Sequence, residues 1–504
     1  MNRREFLKAA GAGAVLAALP RWARAQASAP AGGERPNILL VLSDDHSAPH
    51  LGCYGNADIK TPNLDRFASR GMRFDRAYVA CPQCVPSRAS IMTGRSPVAI
   101  QMTRFTAPLP AEVRTYPELL RHAGYFTGVA GRTYHLDGAS GYPAEVEAVF
   151  KENGLRTFRD RLDFVKTARP DGVLAQFREF LDQVPEDASA KSGRKPFFLQ
   201  LCFFDPHRVL DRNAIPVPHD PARLTLPRHY PDTPAVRDDF ARYYDEIARM
   251  DGDFGQVMAE LDKRGLADNT LVAFMGDNGA SQLRGKGTLY EFGIHVPLLV
   301  RWPGMTREGT ACADLISGED LAPTFLAAAG LTAPKEMTGQ SFLAQSLGRP
   351  AAGRKYVFAE RGAHGSGLPT NSAFFDLGRC VVSRTHKLIY NATSQLPYMP
   401  VDFGGDGFWK EIVQMHQAGK LDPDLAKLYF PEKRPVFELY CLQDDPWEMT
   451  NLYGRPEAAA VQQELLVAMD RWMILERDFL PLPLAPARKS PAKAKASSRP
   501  AAEQ

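Results

Sequence analysis

The 504-residue sequence predicts an α/β protein, a mostly parallel sheet flanked by helices with a smaller C-terminal α+β unit behind it. Two observations lead there. From Pro36 onward, apolar runs of strand length alternate with helical patterns. Near Gly348 to Gly353 a Gly/Pro/Ala-rich stretch breaks the alternation, and shorter strands then lead into a last helix.

The strands of the first unit, residues 36–347, are expected at Asn37 to Ser43, Phe126 to Ala130, Pro196 to Phe204, Thr270 to Met275 and Val296 to Arg301. Helical periodicity fills Asn63 to Ser69, Tyr116 to Ala123, the long segment Val236 to Lys263, and Asp320 to Ala329. The second unit, residues 354–480, has strand patterns at Tyr356 to Ala359, Lys387 to Tyr390 and Val436 to Tyr440, and a helix from Ala458 to Glu476. The Ala/Pro/Lys/Ser-rich end, residues 485–504, has too little apolar surface to fold and is expected to be disordered. No internal repeat is evident.

At the other end, Arg3-Arg4 precede an apolar stretch, Ala9 to Pro20, and the small-x-small run Ala23-Arg24-Ala25. That order reads as a twin-arginine signal peptide over residues 1–25, followed by a linker over 26–35. The apolar stretch is too short to span a bilayer, so no stable membrane insertion is expected. The expected partner is the twin-arginine export machinery, and the destination periplasmic or secreted, reached in the folded state. The net charge of +3 is small for this length and owes much to the two ends, which gives no footing for nucleic-acid binding. Seven cysteines, at 53, 81, 84, 202, 312, 380 and 441, show no metal-knuckle spacing and no dense disulfide framework.

In an open parallel sheet the site lies at the carboxyl ends of the strands. Here those ends carry Asp44-Asp45-His46, Gly131-Arg132-Thr133-Tyr134-His135, Asp205-Pro206-His207-Arg208 and Gly276-Asp277-Asn278-Gly279. Asp44 and Asp45 alone would suit a turn. Joined by Asp277 and Asn278 they form an oxygen-ligand set for a hard dication, Ca²⁺ or Mg²⁺ rather than zinc. Arg88, Arg132, His135, His207 and Lys286 would surround that cation with positive charge, a combination built for a tetrahedral oxyanion ester, sulfate or phosphate.

The decisive run is Cys81-Pro82-Gln83-Cys84-Val85-Pro86-Ser87-Arg88, continuing to Thr93-Gly94-Arg95. Its Cys-x-Pro-Ser-Arg core resembles the signature of the type I, formylglycine-dependent sulfatases, which belong to the alkaline-phosphatase superfamily. A Cys81/Cys84 redox pair is the competing reading, disfavoured because the thioredoxin-type βαβ context is missing. The resemblance runs from about Pro36 to Leu452. It includes Leu51-Gly52-Cys53-Tyr54-Gly55, Gly285-Lys286-Gly287 through Val296-Pro297-Leu298, and Glu438-Leu439-Tyr440 with Asp445-Pro446-Trp447-Glu448 and Asn451-Leu452.

The resemblance implies an alkaline-phosphatase-like catalytic domain and conversion of Cys84 to formylglycine (3-oxoalanine) by a maturation enzyme. It implies Asp44, Asp45, Cys84, Asp277 and Asn278 as metal ligands. Asp277 would take the proton of the attacking hydroxyl and Arg88 would orient the formylglycine hydrate. Arg132 and Lys286 would bind sulfate, His207 would protonate the leaving group, and His135 would act as base on the second hydroxyl. Arg132 stands where the family usually has lysine; it can bind sulfate but does not readily give up a proton. Because a twin-arginine signal exports folded protein, Cys84 should be modified in the cytoplasm before export.

Within the family, Phe204 to Arg208, Tyr230 to Arg237 and His386 to Pro397 are most similar to the sulfamidase branch, the heparan N-sulfatases. That similarity implies a sulfated saccharide substrate, N-sulfated glucosamine of heparin or heparan type, and a part in heparan sulfate degradation. Glu360, Arg361 and His364 are candidate sugar contacts, each equally readable as an exposed loop residue. The alternatives are another sulfate ester, a formylglycine-dependent phosphonate or phosphodiester hydrolase, and a non-catalytic carbohydrate-binding protein.

Overall fold

A computed structural model describes residues 35–105, 108–133, 144–153, 158–190, 192–365 and 368–483. The expected signal peptide at 1–25, residues 26–34 of the linker, the tail at 485–504, and His135 lie outside the described residues.

Eight strands form the first sheet: β1 (Asn37–Ser43), β2 (Met72–Tyr78), β3 (Phe126–Gly131), β4 (Phe164–Thr167), β5 (Phe197–Cys202), β6 (Thr270–Gly276), β7 (Leu298–Arg301) and β8 (Thr310–Ser317). Their order is β4-β3-β5-β1-β6-β7-β2-β8. Every neighbouring pair is parallel except those of β7, which runs against both β6 and β2. β1 therefore sits in the interior of the sheet, parallel to β5 on one side and to β6 on the other, and all seven of its residues are buried. A strand covered on both faces is apolar through its middle, which is how Asn-Ile-Leu-Leu-Val-Leu-Ser reads, with Ile38 to Leu42 between one polar residue at each end.

The alternating residues of β1 divide between two cores. Ile38, Leu40 and Leu42 pack with Val85, Ala89, Tyr116, Leu120, Leu321 and Phe325, from helices Cys84–Thr93, Tyr116–His122 and Leu321–Ala328. Leu39 and Val41 pack on the opposite face with Phe67, Phe177, Phe240 and Phe254, from helices Pro62–Ser69, Val173–Gln183 and Pro234–Lys263. The long helix is bounded as its sequence dictates. Thr233 caps it by accepting a hydrogen bond from the Val236 N–H, and Pro234 takes the first helical position, where no N–H is needed.

The second sheet is antiparallel, ordered β12-β11-β10-β9, with β9 (Val357–Ala363), β10 (Phe375–Val382), β11 (His386–Asn391) and β12 (Phe437–Cys441). Helix Ala459–Leu475 covers it through Leu465, Leu466, Met469 and Trp472. The two sheets are tied by buried polar groups as well as by packing. The Glu360 N–H donates to the Ala80 carbonyl at 2.9 Å. Lys387 on β11 reaches Glu291 at 2.7 Å and Glu448 at 3.0 Å with no solvent-exposed side-chain surface of its own. Burial raises the Glu291 carboxyl, but Lys387 and His295 outweigh it and hold the group down at about 2.

Several elements extend or depart from the sequence expectation. β9 runs on through Ala363 rather than stopping at Ala359, and β7 begins at Leu298 rather than Val296. β2, β4, β8 and β10 were not expected. β2 interleaves Arg73, Asp75 and Arg76 with its apolar residues, and β8 is an edge strand whose first half is partly exposed, so neither shows a clean apolar run.

Candidate active site

The carboxyl ends of β1, β3 and β6 and the loop after β5 converge with the helix that begins at Cys84. Backbone hydrogen bonds lock three of these together: Asp44 N–H to the Asp205 carbonyl at 3.1 Å, Asp277 N–H to the Ser43 carbonyl at 3.0 Å, and His46 N–H to the Asn278 carbonyl at 2.8 Å. Asp44, Asp45, Asp277 and Asn278 are wholly buried. Asp45 holds left-handed backbone, φ 62°, which a non-glycine residue adopts where its surroundings enforce it. At the end of β3 the backbone needs glycine: Gly131 has φ 87°, and a Cβ there would stand 2.0 Å from the Cys202 carbonyl oxygen.

Cys84 opens its helix, with Gln83 as the N-cap. This accounts for the Cys-x-Pro-Ser-Arg spacing. Pro86 falls in the first turn, where a missing N–H costs nothing. Ser87 Oγ donates to the Asp277 carbonyl, and Arg88 lies one turn on from Cys84, on the same face. The Cys84 thiol is 3.5 Å from Asp44 Oδ1 and 3.9 Å from Asp45 Oδ1. Burial, and then Asp44, push its pKa far up, so the unmodified side chain is a protonated thiol and a poor nucleophile.

Three cations brace the acids. Arg88 donates from Nε to Asp277 at 2.8 Å, from Nη2 to Asp44 at 3.0 Å and from Nη1 to the Arg132 carbonyl at 3.1 Å. Arg132 Nε is 2.9 Å from Asp44 Oδ2, and its guanidinium stands over the Phe204 ring at 5.5 Å. Lys286 Nζ is 2.9 Å from Asp45 Oδ1. Even so, burial, reinforced by Asp44, lifts Asp277 to about 7, and burial, only partly offset by Lys286, lifts Asp45 to about 7. Carboxylates crowded out of water resist ionisation unless more positive charge joins them.

The donor set fits a hard dication. Ligand atoms of Asp44, Asp45, Cys84 and Asp277 all lie within 4.8 Å of one another, and donors across a cation bound at about 2.4 Å are at most about 4.8 Å apart. Asn278 spends its amide Nδ2 on Asp45 and the Gly279 carbonyl, while its Oδ1 is buried and accepts no hydrogen bond. A buried carbonyl oxygen left without a donor is what a cation would claim.

His207 is positioned by the loop after β5, with Nε2 3.8 Å from Asp45 Oδ2. Burial, then Lys286, lower it to about 3, so the imidazole is neutral in the ligand-free site. His364 joins the cluster. Its Nδ1 is 2.8 Å from Gln83 Nε2, and its ring meets Phe105 edge-on at 4.6 Å.

The other two expected sugar contacts need correction. Glu360 and Arg361 are 0 % and 1 % exposed. Glu360 stands beside the Cys81 thiol and 3.8 Å from Arg379. Arg361 spends its guanidinium on the carbonyls of Gly287, Gly362, Ser372 and Ala373, at 2.8–3.2 Å, and so braces the segment that carries Lys286. Both are committed to packing the two sheets together.

The structure adds one residue that sequence reasoning missed. Asp402, in the stretch after β11, places Oδ2 2.7 Å from Lys286 Nζ and Oδ1 3.5 Å from His364 Nε2. A lone acid before Gly404-Gly405 was the only signal.

Fold and site together define a hydrolase for tetrahedral oxyanion esters, built at the carboxyl edge of an α/β sheet. Comparison with known proteins narrows the class. The Sulfatase family profile matches residues 36–331, and the chain belongs to that family, an enzyme that hydrolyses sulfuric esters. The chain is 29% identical to the human N-sulphoglucosamine sulphohydrolase over 479 residues, 86% of this chain and 89% of that one. It is 27% identical over 477 residues to an ulvan-active sulfatase of Formosa agariphila, covering 89% of this chain and 76% of that protein.

Among solved structures, one captured with its substrate D-glucosamine-2-N,6-O-disulfate aligns over 89% of this chain and 99% of its own, with TM-score 0.63 and 21% identity. The phosphonate monoester hydrolase of Silicibacter pomeroyi aligns over 88% and 96%, with TM-score 0.65 and 21% identity. At these identities the likeness speaks for the shared alkaline-phosphatase-like fold. Residues 1–20 match the twin-arginine translocation signal, so the protein is exported by that route. Among the described residues no helix is long and apolar enough to cross a membrane.

Proposed function

We propose that this sulfatase acts on sulfated saccharides through a formylglycine made from Cys84, with N-sulfated glucosamine of heparin or heparan type as its substrate. The observation that carries the chemistry is the place of Cys84. It stands at the first turn of a buried helix, 3.5 Å from one of three converging carboxylates, with Arg88, Arg132 and Lys286 around them.

As a hydrated aldehyde, residue 84 supplies two hydroxyls, one to attack sulfur and one to release the sulfate afterwards, so that no water need attack a hindered centre. A divalent cation, Ca²⁺ or Mg²⁺, would be held by Asp44, Asp45, Asp277, Asn278 and the modified Cys84, and would supply a Lewis acid for the sulfate oxygens. Around these, the chain's own residues divide the work. Arg88 keeps Asp44 and Asp277 aimed at the nucleophile, and Asp277 takes the proton of the attacking hydroxyl. Arg132 and Lys286 bind sulfate oxygens, Arg132 as a fixed cation that keeps its protons. His207, protonated once a bound sulfate anion offsets Lys286 beside it, gives that proton to the leaving atom. His135, in the segment that follows Arg132, is the base for the second hydroxyl.

The substrate reading rests on the relative named for N-sulphoglucosamine, which aligns over most of both chains. An O-sulfate ester of a polysaccharide is the second reading, favoured by the two ulvan-active relatives. Sulfate release from a panel of N-sulfoglucosamine, glucosamine 6-O-sulfate and a sulfated ulvan oligosaccharide, with a phosphonate monoester as control, decides between them. Release from N-sulfoglucosamine is expected. Release from O-sulfated sugars alone removes the N-sulfate reading, and turnover of the phosphonate without any sulfate release removes the sulfatase chemistry.

A further inference from the structure

Asp402 is the acid that neither the cation cluster nor the catalytic assignments use. It holds left-handed backbone, φ 69°, and its side chain keeps 27% of its surface exposed, whereas Asp45 beside it has none. Its Oδ2 is 2.7 Å from Lys286 Nζ and 3.9 Å from His207 Nε2. Burial would raise its carboxyl, but Lys286, with His364 beside it, outweighs that and keeps the group ionised. Lys286 already has a carboxylate partner in Asp45 at 2.9 Å. A second acid is not needed to fix the lysine; Oδ1 serves His364 Nε2 at 3.5 Å, which leaves Oδ2, between Lys286 and His207, as the oxygen that faces the substrate.

What it contacts follows from His207. The atom that leaves sulfur must lie within a hydrogen bond of His207 Nε2 to receive its proton, and so comes beside the Asp402 carboxylate. In a sulfate ester that atom is an oxygen, which has lone pairs to offer and no hydrogen, and a carboxylate repels it. In a sulfamate it is a nitrogen that carries a hydrogen, and an ionised carboxylate is a strong acceptor for it.

We propose that Asp402 reads the bridging atom, accepting the N–H of an N-sulfated sugar and selecting it over O-sulfated sugars. This rests on the N-sulfate reading above and assigns it a residue. The net reactions separate the two classes further. R–NH–SO₃⁻ with H₂O gives R–NH₃⁺ and SO₄²⁻: the S–N bond breaks, an S–O bond forms, and the nitrogen keeps its own hydrogen while gaining two protons from water, one of them by way of His207. R–O–SO₃⁻ with H₂O gives R–OH, SO₄²⁻ and H⁺. Asp402 therefore faces a donor in the sulfamate and a cation in its product, but a bare acceptor in the ester.

The test is the ratio of kcat/KM for N-sulfoglucosamine to that for glucosamine 6-O-sulfate, measured on the full mature protein, on Asp402→Asn, and on Asp402→Gly, which suits left-handed backbone. Loss of a charge-assisted hydrogen bond predicts that the ratio falls by roughly 10- to 100-fold in both variants. A residue that only positions Lys286 would lower both rates alike, so an unchanged ratio overturns the inference and leaves the substrate reading standing. An unsubstituted protein that releases no sulfate from N-sulfoglucosamine overturns both.

Discussion

Cys84→Ala is expected to lose activity by at least about 10⁴-fold in kcat while folding as well as the parent, because it removes the proposed covalent nucleophile. The structure says why the two effects should separate. Among the described residues the thiol's hydrogen bonds are two long ones, to Asp44 at 3.5 Å and Asp45 at 3.9 Å, and alanine is well suited to the first turn of a helix. Neither contact holds a strand or a sheet in place. Sulfate release and urea unfolding of the same preparation check this. Activity that survives the substitution would mean that another group attacks sulfur.

Removal of divalent cations should have the second largest effect. A chelator is expected to abolish turnover, Ca²⁺ or Mg²⁺ to restore it, and the thermal midpoint to follow the same cycle. A cation at 100 times its dissociation constant adds about 2.7 kcal/mol. The cation-free protein should also carry a pH signature. Asp45 and Asp277 are each raised from 3.8 to about 7 in the fold. Between those values these two carboxyls hold protons in the fold that they have released in the unfolded chain. Their own contribution to cation-free stability therefore falls as pH rises from about 4 to 7 and stays low above it, against the opposite contribution of buried histidines such as His207. A bound cation, which favours the ionised carboxylates, should flatten that slope. Equal midpoints with and without chelator across this range would argue against a cation at the cluster.

The parts of the site visible in the sequence are those that end buried strands. Within the buried β1 five consecutive residues, Ile38 to Leu42, make an apolar run, and a run that stops just before Ser43-Asp44-Asp45 announces both the strand and the chemistry at its edge. The Gly-Asp-Asn-Gly after β6 is legible for the same reason. What stayed hidden was set by contacts distant in sequence. Asp402 sits in a loop with no periodicity, and only the fold brings it to Lys286, 116 positions earlier in the chain.

From the sequence, Glu360 and Arg361 suit sugar contacts or an exposed loop equally well. They are buried because carbonyls from separate segments, and a neighbouring arginine, surround them. The helix at Cys84 was also invisible: Cys-Val-Pro-Ser looks like a loop, and its proline is tolerated only because it falls in the first turn.

The most direct test is the mass of the peptide carrying residue 84, from protein made together with a formylglycine-generating enzyme and recovered before and after export. A formylglycine there, one oxygen in place of the sulfur and two hydrogens, already present in the cytoplasmic fraction, is the predicted result. An unmodified thiol at Cys84 in protein that still releases sulfate would contradict the account.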